Sequence, residues 1–400
     1  MTTGSAAMDR FVILADESAE WKIAGLRQLD RLVLALNEFA GSIGSAVTLH
    51  VVIFWRPNIP SGARWLPNDP RTKRLRMTEA LSSLQPGARL LSTRLFVDRN
   101  GLAQSVEATP TMKLEEPMVD PENSWNRLRE QFDASCREVF RAGGGRGAKY
   151  LDDPSDAPAC ERKLLRQAGK SQDGVVSRFI NRPISRIISR VLLKFPITPN
   201  AWTMLILILP LVACVFLVRG DYAGFVLGTA LFQIYNIFDG CDGEIARAKY
   251  LDCEKGRRLD ASCDLVANLV FVLCVGVGLV RQPSVSASIG VVYLLESLIT
   301  VLLMAVRLSR YVMELLARDT TRIVSHRHEE IVIEAGERVF GRALTAFLFQ
   351  ITKRDVAFFA FLLLAIASAP SWILHFFFIV SVITISLALK DIRSSSSPRA

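Results

Sequence analysis

The stretch Asp239-Gly-Cys-Asp242-Gly243-Glu-Ile-Ala246-Arg247, followed after a short polar segment by Gly256-Arg-Arg-Leu-Asp260-Ala-Ser-Cys-Asp264, decides how this chain is read. On a helix, steps of three and four residues stay on one face. Asp239, Asp242, Gly243, Ala246 and Arg247 therefore line one side of the first segment, and Asp260 and Asp264 line one side of the second. Each segment adjoins a long apolar run, before Asp239 in one case and after Asp264 in the other. Four carboxylates thus sit at the ends of two apolar helices.

Ionisable groups at membrane depth are expensive unless they face water, one another or a cation. Four Asp on facing helices repel unless hard cations bridge them, and an all-oxygen donor set suits Mg²⁺, Mn²⁺ or Ca²⁺ better than zinc. Gly243 and Ala246 leave the helix face flat for a bulky ligand, while Arg247 offers a fork for phosphate or carboxylate. These residue types together imply a metal-held phosphate ester. In the bland alternative, the acids only cap helices and face water.

The complete pattern Asp-x2-Asp-Gly-x2-Ala-Arg-x8-Gly-x3-Asp-x3-Asp resembles the signature of the CDP-alcohol phosphotransferase family of integral membrane enzymes, over the membrane half of the chain alone. The resemblance implies transfer of a substituted phosphoryl group from a CDP-linked donor to an alcohol acceptor, with release of CMP. In that picture Asp239, Asp242 and Asp260 hold Mg²⁺ or Mn²⁺ on the pyrophosphate. Asp264 takes the proton of the incoming hydroxyl or shares the metal, because an Asp beside two cations is a weak base. Gly243 and Ala246 give room to the cytidine, Arg247 grips phosphate, and Gly256 opens the floor of the pocket. A homodimer formed through the membrane helices is a further expectation from the family. A rival of another class is a divalent-cation transporter or channel lined by the same acids.

The 400 residues suffice for two or three domains. Half are hydrophobic, the mean hydropathy is +0.28, and the apolar runs crowd into the second half, so a soluble part precedes a membrane part. The net charge of +9 comes from basic residues beside apolar segments rather than among aromatic platforms. An anionic lipid surface explains them better than nucleic acid. Seven Cys show no spacing of a secreted scaffold or a zinc site, and Cys241, Cys253 and Cys263 read as packing residues. The first residues lack the basic start and apolar core of a signal peptide.

Residues 1–160 read as an α/β domain with a mostly parallel sheet: strands at Phe11–Ala15, Val47–Trp55 and Leu90–Val97, helices at Glu20–Phe39 and Asn123–Phe140. Such a start distantly resembles a sugar-nucleotidyltransferase domain. It departs after the first strand, where Asp16-Glu-Ser stands in place of a glycine-rich basic turn and would repel a triphosphate. A degenerate, non-catalytic domain follows from that departure. Gly143–Gly147 reads as a flexible linker rather than a phosphate loop.

Residues 161–198 read as a linker and an amphipathic interfacial helix, with Arg178, Arg182, Arg186, Arg190 and Lys194 in a basic stripe facing headgroups or water. Residues 199–392 carry six expected spans, near Ala201–Val218, Tyr222–Ala248, Leu259–Val280, Ser284–Val306, Val356–Ala369 and Trp372–Leu389, with Asn200 as a cap and a tail over 393–400. The fold class is therefore a soluble α/β domain followed by an all-α polytopic membrane domain. Positive charge on alternate loops orients both termini and the Asp site towards the cytosol. His326 and His328 read as surface residues of the loop Arg307–Arg342. Arg307, Arg310, Lys353 and Arg354 are membrane-edge cations, as suited to anchoring as to holding an acceptor phosphate. Glu296 is mid-span with no evident partner, and Glu244 and Asp252 match no motif position and read as surface. The order of the parts resembles enzymes of inositol-phosphate lipids or di-inositol phosphates, which favours an inositol or inositol-phosphate acceptor.

Overall fold

Five consecutive residues from Phe11 to Ala15 are shut off from solvent, the pattern of a strand covered on both faces. They belong to β1 (Arg10–Ala15), at the middle of a four-stranded parallel sheet. The computed structural model describes residues 10–44, 46–59, 69–79, 87–99, 101–112, 120–141, 147–167, 174–317, 341, 350 and 352–395. They divide into two compact units. The first gathers the described part of Met1–Ala168 with Arg190–Pro196 and Arg247–Leu251; the second holds the rest.

In the first unit, β2 (Lys22–Ile23) and β3 (Leu26–Arg27) form a small hairpin. Its turn places Ala24 and Gly25 at positive φ, and a Cβ on Gly25 would lie 2.6 Å from the Leu193 carbonyl oxygen. The helix expected from Glu20 therefore begins only at Gln28: α1 is Gln28–Ile43. β4 (Leu49–Trp55), β5 (Leu75–Thr78) and β6 (Arg89–Ser92) complete the sheet in the order β5-β4-β1-β6. The strand expected over Leu90–Val97 breaks after Ser92. Its second half is β7 (Leu95–Val97), which pairs antiparallel with β8 (Ala148–Tyr150) in a separate two-stranded sheet. The helices are α2 (Gly101–Ser105), α3 (Pro121–Arg141) and α4 (Ala157–Gln167). Residues 143–146 of the expected glycine linker lie outside the described residues.

Tyr250 belongs to this unit's hydrophobic core. Arg31 and Arg99 lie 5.8 and 5.4 Å from its ring centre. Arg31, itself fully buried, donates to the carbonyls of Ile23 and Ala248, and Arg71 donates to that of Lys249. These bonds hold Tyr250 at a φ of 54°, a region that bulky side chains seldom occupy.

The second unit is helical. Ser177–Asn181, wound in wider π-type turns, runs into α5 (Arg182–Leu192). Its buried side is polar, with Ser177, Asn181, Arg182, Ser185 and Ser189, whereas Phe179 and Ile187 on the other side are 72% and 62% exposed. Arg182 thus departs from the basic stripe expected to face headgroups, because a buried carboxylate takes it. Thr198, not Asn200, caps α6 (Pro199–Ile206), accepting from the Ala201 amide. Then follow α7 (Ile208–Leu217), α8 (Tyr222–Ala248), α9 (Glu254–Val280), α10 (Ala287–Ala317), α11 (Arg354–Ile366) and α12 (Ser371–Ser395).

Among the described residues three helical stretches are long and apolar enough to cross a membrane: Pro199–Leu217, Glu254–Val280 and Ala287–Val306. The other expected spans fall on α8, whose acids interrupt its apolar run, on the 13-residue α11, and on α12, apolar over Ser371–Ser386. His326, His328 and the tail from residue 396 lie outside the described residues, as do the side chains of Arg307 and Arg310.

Candidate metal centre and phosphoryl-transfer site

Aromatic packing aligns the helices that carry the acids. Phe232 of α8 meets Phe271 of α9 at 4.3 Å between ring centres, and Phe358 of α11 stacks on Phe232 at 5.5 Å. Phe361 and Phe377 extend the cluster to α12. Each such pair adds roughly 0.5–1.5 kcal/mol beyond its buried area, and the cluster sets the register of α8 against α9. One turn beyond Phe232 stands Tyr235, and one further turn brings Asp239.

That register puts Asp239 of α8 beside Asp260 and Asp264 of α9, with one carboxylate oxygen of each within 4.8 Å of the others. Asp242 is not in this trio. It is buried, and the Thr203 hydroxyl donates to it at 2.6 Å. Gly243, Ala246 and Arg247 follow along α8, and Ala246 is buried. Gly256 sits in the first turn of α9, where the Cys253 sulfur accepts from its amide, and a Cβ there would lie 3.0 Å from the Asn200 side-chain oxygen. Cys253 is an exposed helix cap rather than a packing residue, unlike the buried Cys241 and Cys263.

Two partners of the acids come from elsewhere. The Tyr235 hydroxyl donates to Asp264 at 2.9 Å. Arg354, at the start of α11, donates through Nη1 to Asp264, lies 3.4 Å from Asp239, and sits 5.5 Å from the Tyr235 ring centre. Its neighbour Asp355 fixes that end of α11 by accepting from the Ser177 amide at 2.6 Å. Arg354, grouped with the membrane-edge cations from the sequence, thus contacts two acids of the cluster.

Glu244, expected at the surface, is fully buried. It accepts from Arg182 at 3.1 Å, Ser185 at 2.8 Å and Ser189 at 2.7 Å, clamping α5 onto α8 directly behind the acid-bearing face. The signal was the recurrence of Ser177, Asn181, Ser185 and Ser189 at every fourth residue, a polar stripe beside the more conspicuous basic one. Glu296 has its partner in His375 of α12, Nδ1 to Oε1 2.7 Å.

The trio fits a hard divalent cation. Its donors are all oxygen, and they converge from two helices.

Residues 196–388 match the family described as CDP-alcohol phosphatidyltransferase. Curated relatives named bifunctional IPC transferase and DIPP synthase share 36% identity over 158 residues in Rubrobacter xylanophilus, which is 39% of this chain and 36% of that protein. In Archaeoglobus fulgidus the identity is 28% over 239 residues, 59% of this chain and 42% of that protein. The matches span less than half the length of either relative. The family match covers every position of the acidic motif, from Asp239 to Asp264, and the C-terminal region of this chain is a CDP-alcohol phosphatidyltransferase domain.

Proposed function

We propose that this chain transfers a substituted phosphoryl group from a CDP-linked donor to an alcohol, with divalent-cation dependence and an active site on the cytosolic side of the membrane. The carrying observation is the convergence of Asp239, Asp260 and Asp264 from α8 and α9. The acceptor oxygen attacks the phosphorus that bears the donor's alcohol. A new P–O bond forms, the anhydride P–O bond breaks, and CMP leaves with the bonding pair.

Asp239, Asp242 and Asp260 would hold Mg²⁺ or Mn²⁺, which supplies charge stabilisation at the diphosphate. Asp264 accepts the hydroxyl proton of the acceptor. Its bonds from Tyr235 and Arg354 fix the carboxylate's direction, so it acts as much by aligning the nucleophile as by basicity. Arg247 grips donor phosphate, and Gly243, Ala246 and Gly256 leave room for the cytidine. An inositol or inositol-phosphate acceptor is the favoured choice, supported by the name of the relatives and the order of the parts.

The α/β unit serves as a non-catalytic partner. In an open α/β sheet a nucleotide binds beyond the strand ends where the strand order reverses, here between β1 and β6. Asp16 occupies that point, paired with Arg94 and Arg129 and bonded to Ser18. Phosphate would meet an acid already neutralised by its own chain.

Release of CMP from a CDP-alcohol, Mg²⁺ or Mn²⁺ and a panel of alcohols tests the proposal. Turnover should appear with one acceptor class and vanish in Asp264→Asn. Cation flux into liposomes without CMP release would instead select the transporter reading.

A further inference from the structure

Arg354 places a fixed positive charge against two of the three carboxylates that converge between α8 and α9. A guanidinium in that position does two things at once. It offsets the mutual repulsion of the acids, and it competes for the same oxygens with any divalent cation. Its Nε and Nη2 are buried without hydrogen-bond partners, so its hydrogen bonding goes to the acids while its plane lies against the Tyr235 ring. The α11 end that carries it is fastened through Asp355 to Ser177, which keeps the charge in place.

We propose that Arg354 sets the affinity of the acid cluster for its divalent cation, holding it weak until a donor diphosphate adds negative charge of its own. This rests on the metal-dependent reading above. With the guanidinium present, a divalent cation must compete with it for Asp239 and Asp264, and binding is favoured only once the diphosphate is there. Metal and donor are then bound together rather than in sequence, and CMP departure loosens both. Arg354 is a positioning residue in this account, acting through Asp239 and Asp264.

The test is a Mn²⁺ titration of the purified protein, followed by the electron paramagnetic resonance signal of free Mn²⁺, with and without CDP. Asp239→Asn/Asp264→Asn defines cluster-dependent binding. Arg354→Gln and Arg354→Met, two neutral replacements, should each tighten nucleotide-free binding about tenfold or more and shrink the enhancement produced by CDP. Arg354→Lys, which keeps the charge, should stay within about threefold of the parent. Unchanged or weaker binding in both neutral variants overturns the proposal, as does equal tightening in the Lys variant. Absence of cluster-dependent binding in every protein overturns it together with the metal reading, whereas binding without tightening overturns the role of Arg354 alone.

Discussion

A buried acid in the α/β unit and a half-buried trio in the helical unit stand at the ends of secondary-structure elements, and they are built oppositely. In the α/β unit, Asp16 meets two arginines, the Ser18 hydroxyl and amide, and the Thr93 hydroxyl. In the helical unit, Asp239, Asp260 and Asp264 converge from two helices, and Arg354 pairs with Asp264 and Asp239. The first acid is neutralised within its own unit, and its ion pairs contribute to holding the sheet's end closed. The second group gathers like charges at one point, an arrangement that a bound cation would relieve. The converging acids, rather than the sealed one, are those that the proposed function assigns to a ligand.

The sharpest way to break this contrast is to neutralise one acid in each group. Asp239→Asn and Asp264→Asn should lower CMP release by about 10⁴-fold, ~5.5 kcal/mol in the barrier. Asp16→Asn should leave turnover within about twofold. Equal losses from all three would mean that the α/β group takes part in the chemistry. Chelation sharpens the same point: EDTA should abolish turnover, with recovery on adding Mg²⁺ or Mn²⁺. Thermal unfolding of the α/β unit, followed by its tryptophan fluorescence, should not move.

The difference in legibility between the two units has a physical cause. In the helical unit the acids recur at the spacing of one helix face, and the residues between them are apolar or small, so the sequence itself shows which groups share a side. The register of α8 against α9 is another matter, because it is set by Phe232, Phe271 and Phe358 in a contact that no local pattern announces. Arg354 is 90 positions from Asp264 and looks locally like any basic residue at a membrane edge. Glu244 is misread for a related reason: a charge near a helix end has the appearance of a solvated one until Arg182, Ser185 and Ser189 fold against it. In the α/β unit, β1 and β4 are plain from their apolar runs. The hairpin before α1 is not, since Ala24-Gly25 continues a helix-like composition and only its backbone turns.

Glu244 gives a second, intermediate test, because its charge is balanced inside the helical unit but by a single arginine. Glu244→Ala leaves Arg182 buried without this carboxylate and takes the carboxylate acceptor from Ser185 and Ser189. The loss should be roughly 3–5 kcal/mol of stability. Pairing it with Arg182→Leu should recover much of that, since removal of both charges avoids the uncompensated ion. The readout is the denaturation midpoint in detergent. A single variant as stable as the parent would show that α5 is not fastened through this pair.

The smallest effect is a pH dependence confined to the α/β unit. Burial alone pushes the Asp16 carboxyl up, but the hydrogen bonds from Ser18 and Arg94 and the charges of Arg94 and Arg129 outweigh it and hold it below its ordinary value of 3.8. A carboxylate depressed on folding contributes stability that is complete above the unfolded value and is lost as pH falls through the folded one. The contribution should therefore be full above about pH 4 and decline below it. Asp16→Asn should remove that acid-side slope and lower stability at neutral pH by roughly 1–3 kcal/mol, through the loss of two ion pairs at a buried position. Denaturant midpoints of the α/β unit's fluorescence from pH 3 to 7, parent against variant, measure both. Parallel curves would mean that Arg94 and Arg129 do not hold Asp16 ionised, and the contrast between the sealed acid and the converging trio would fail.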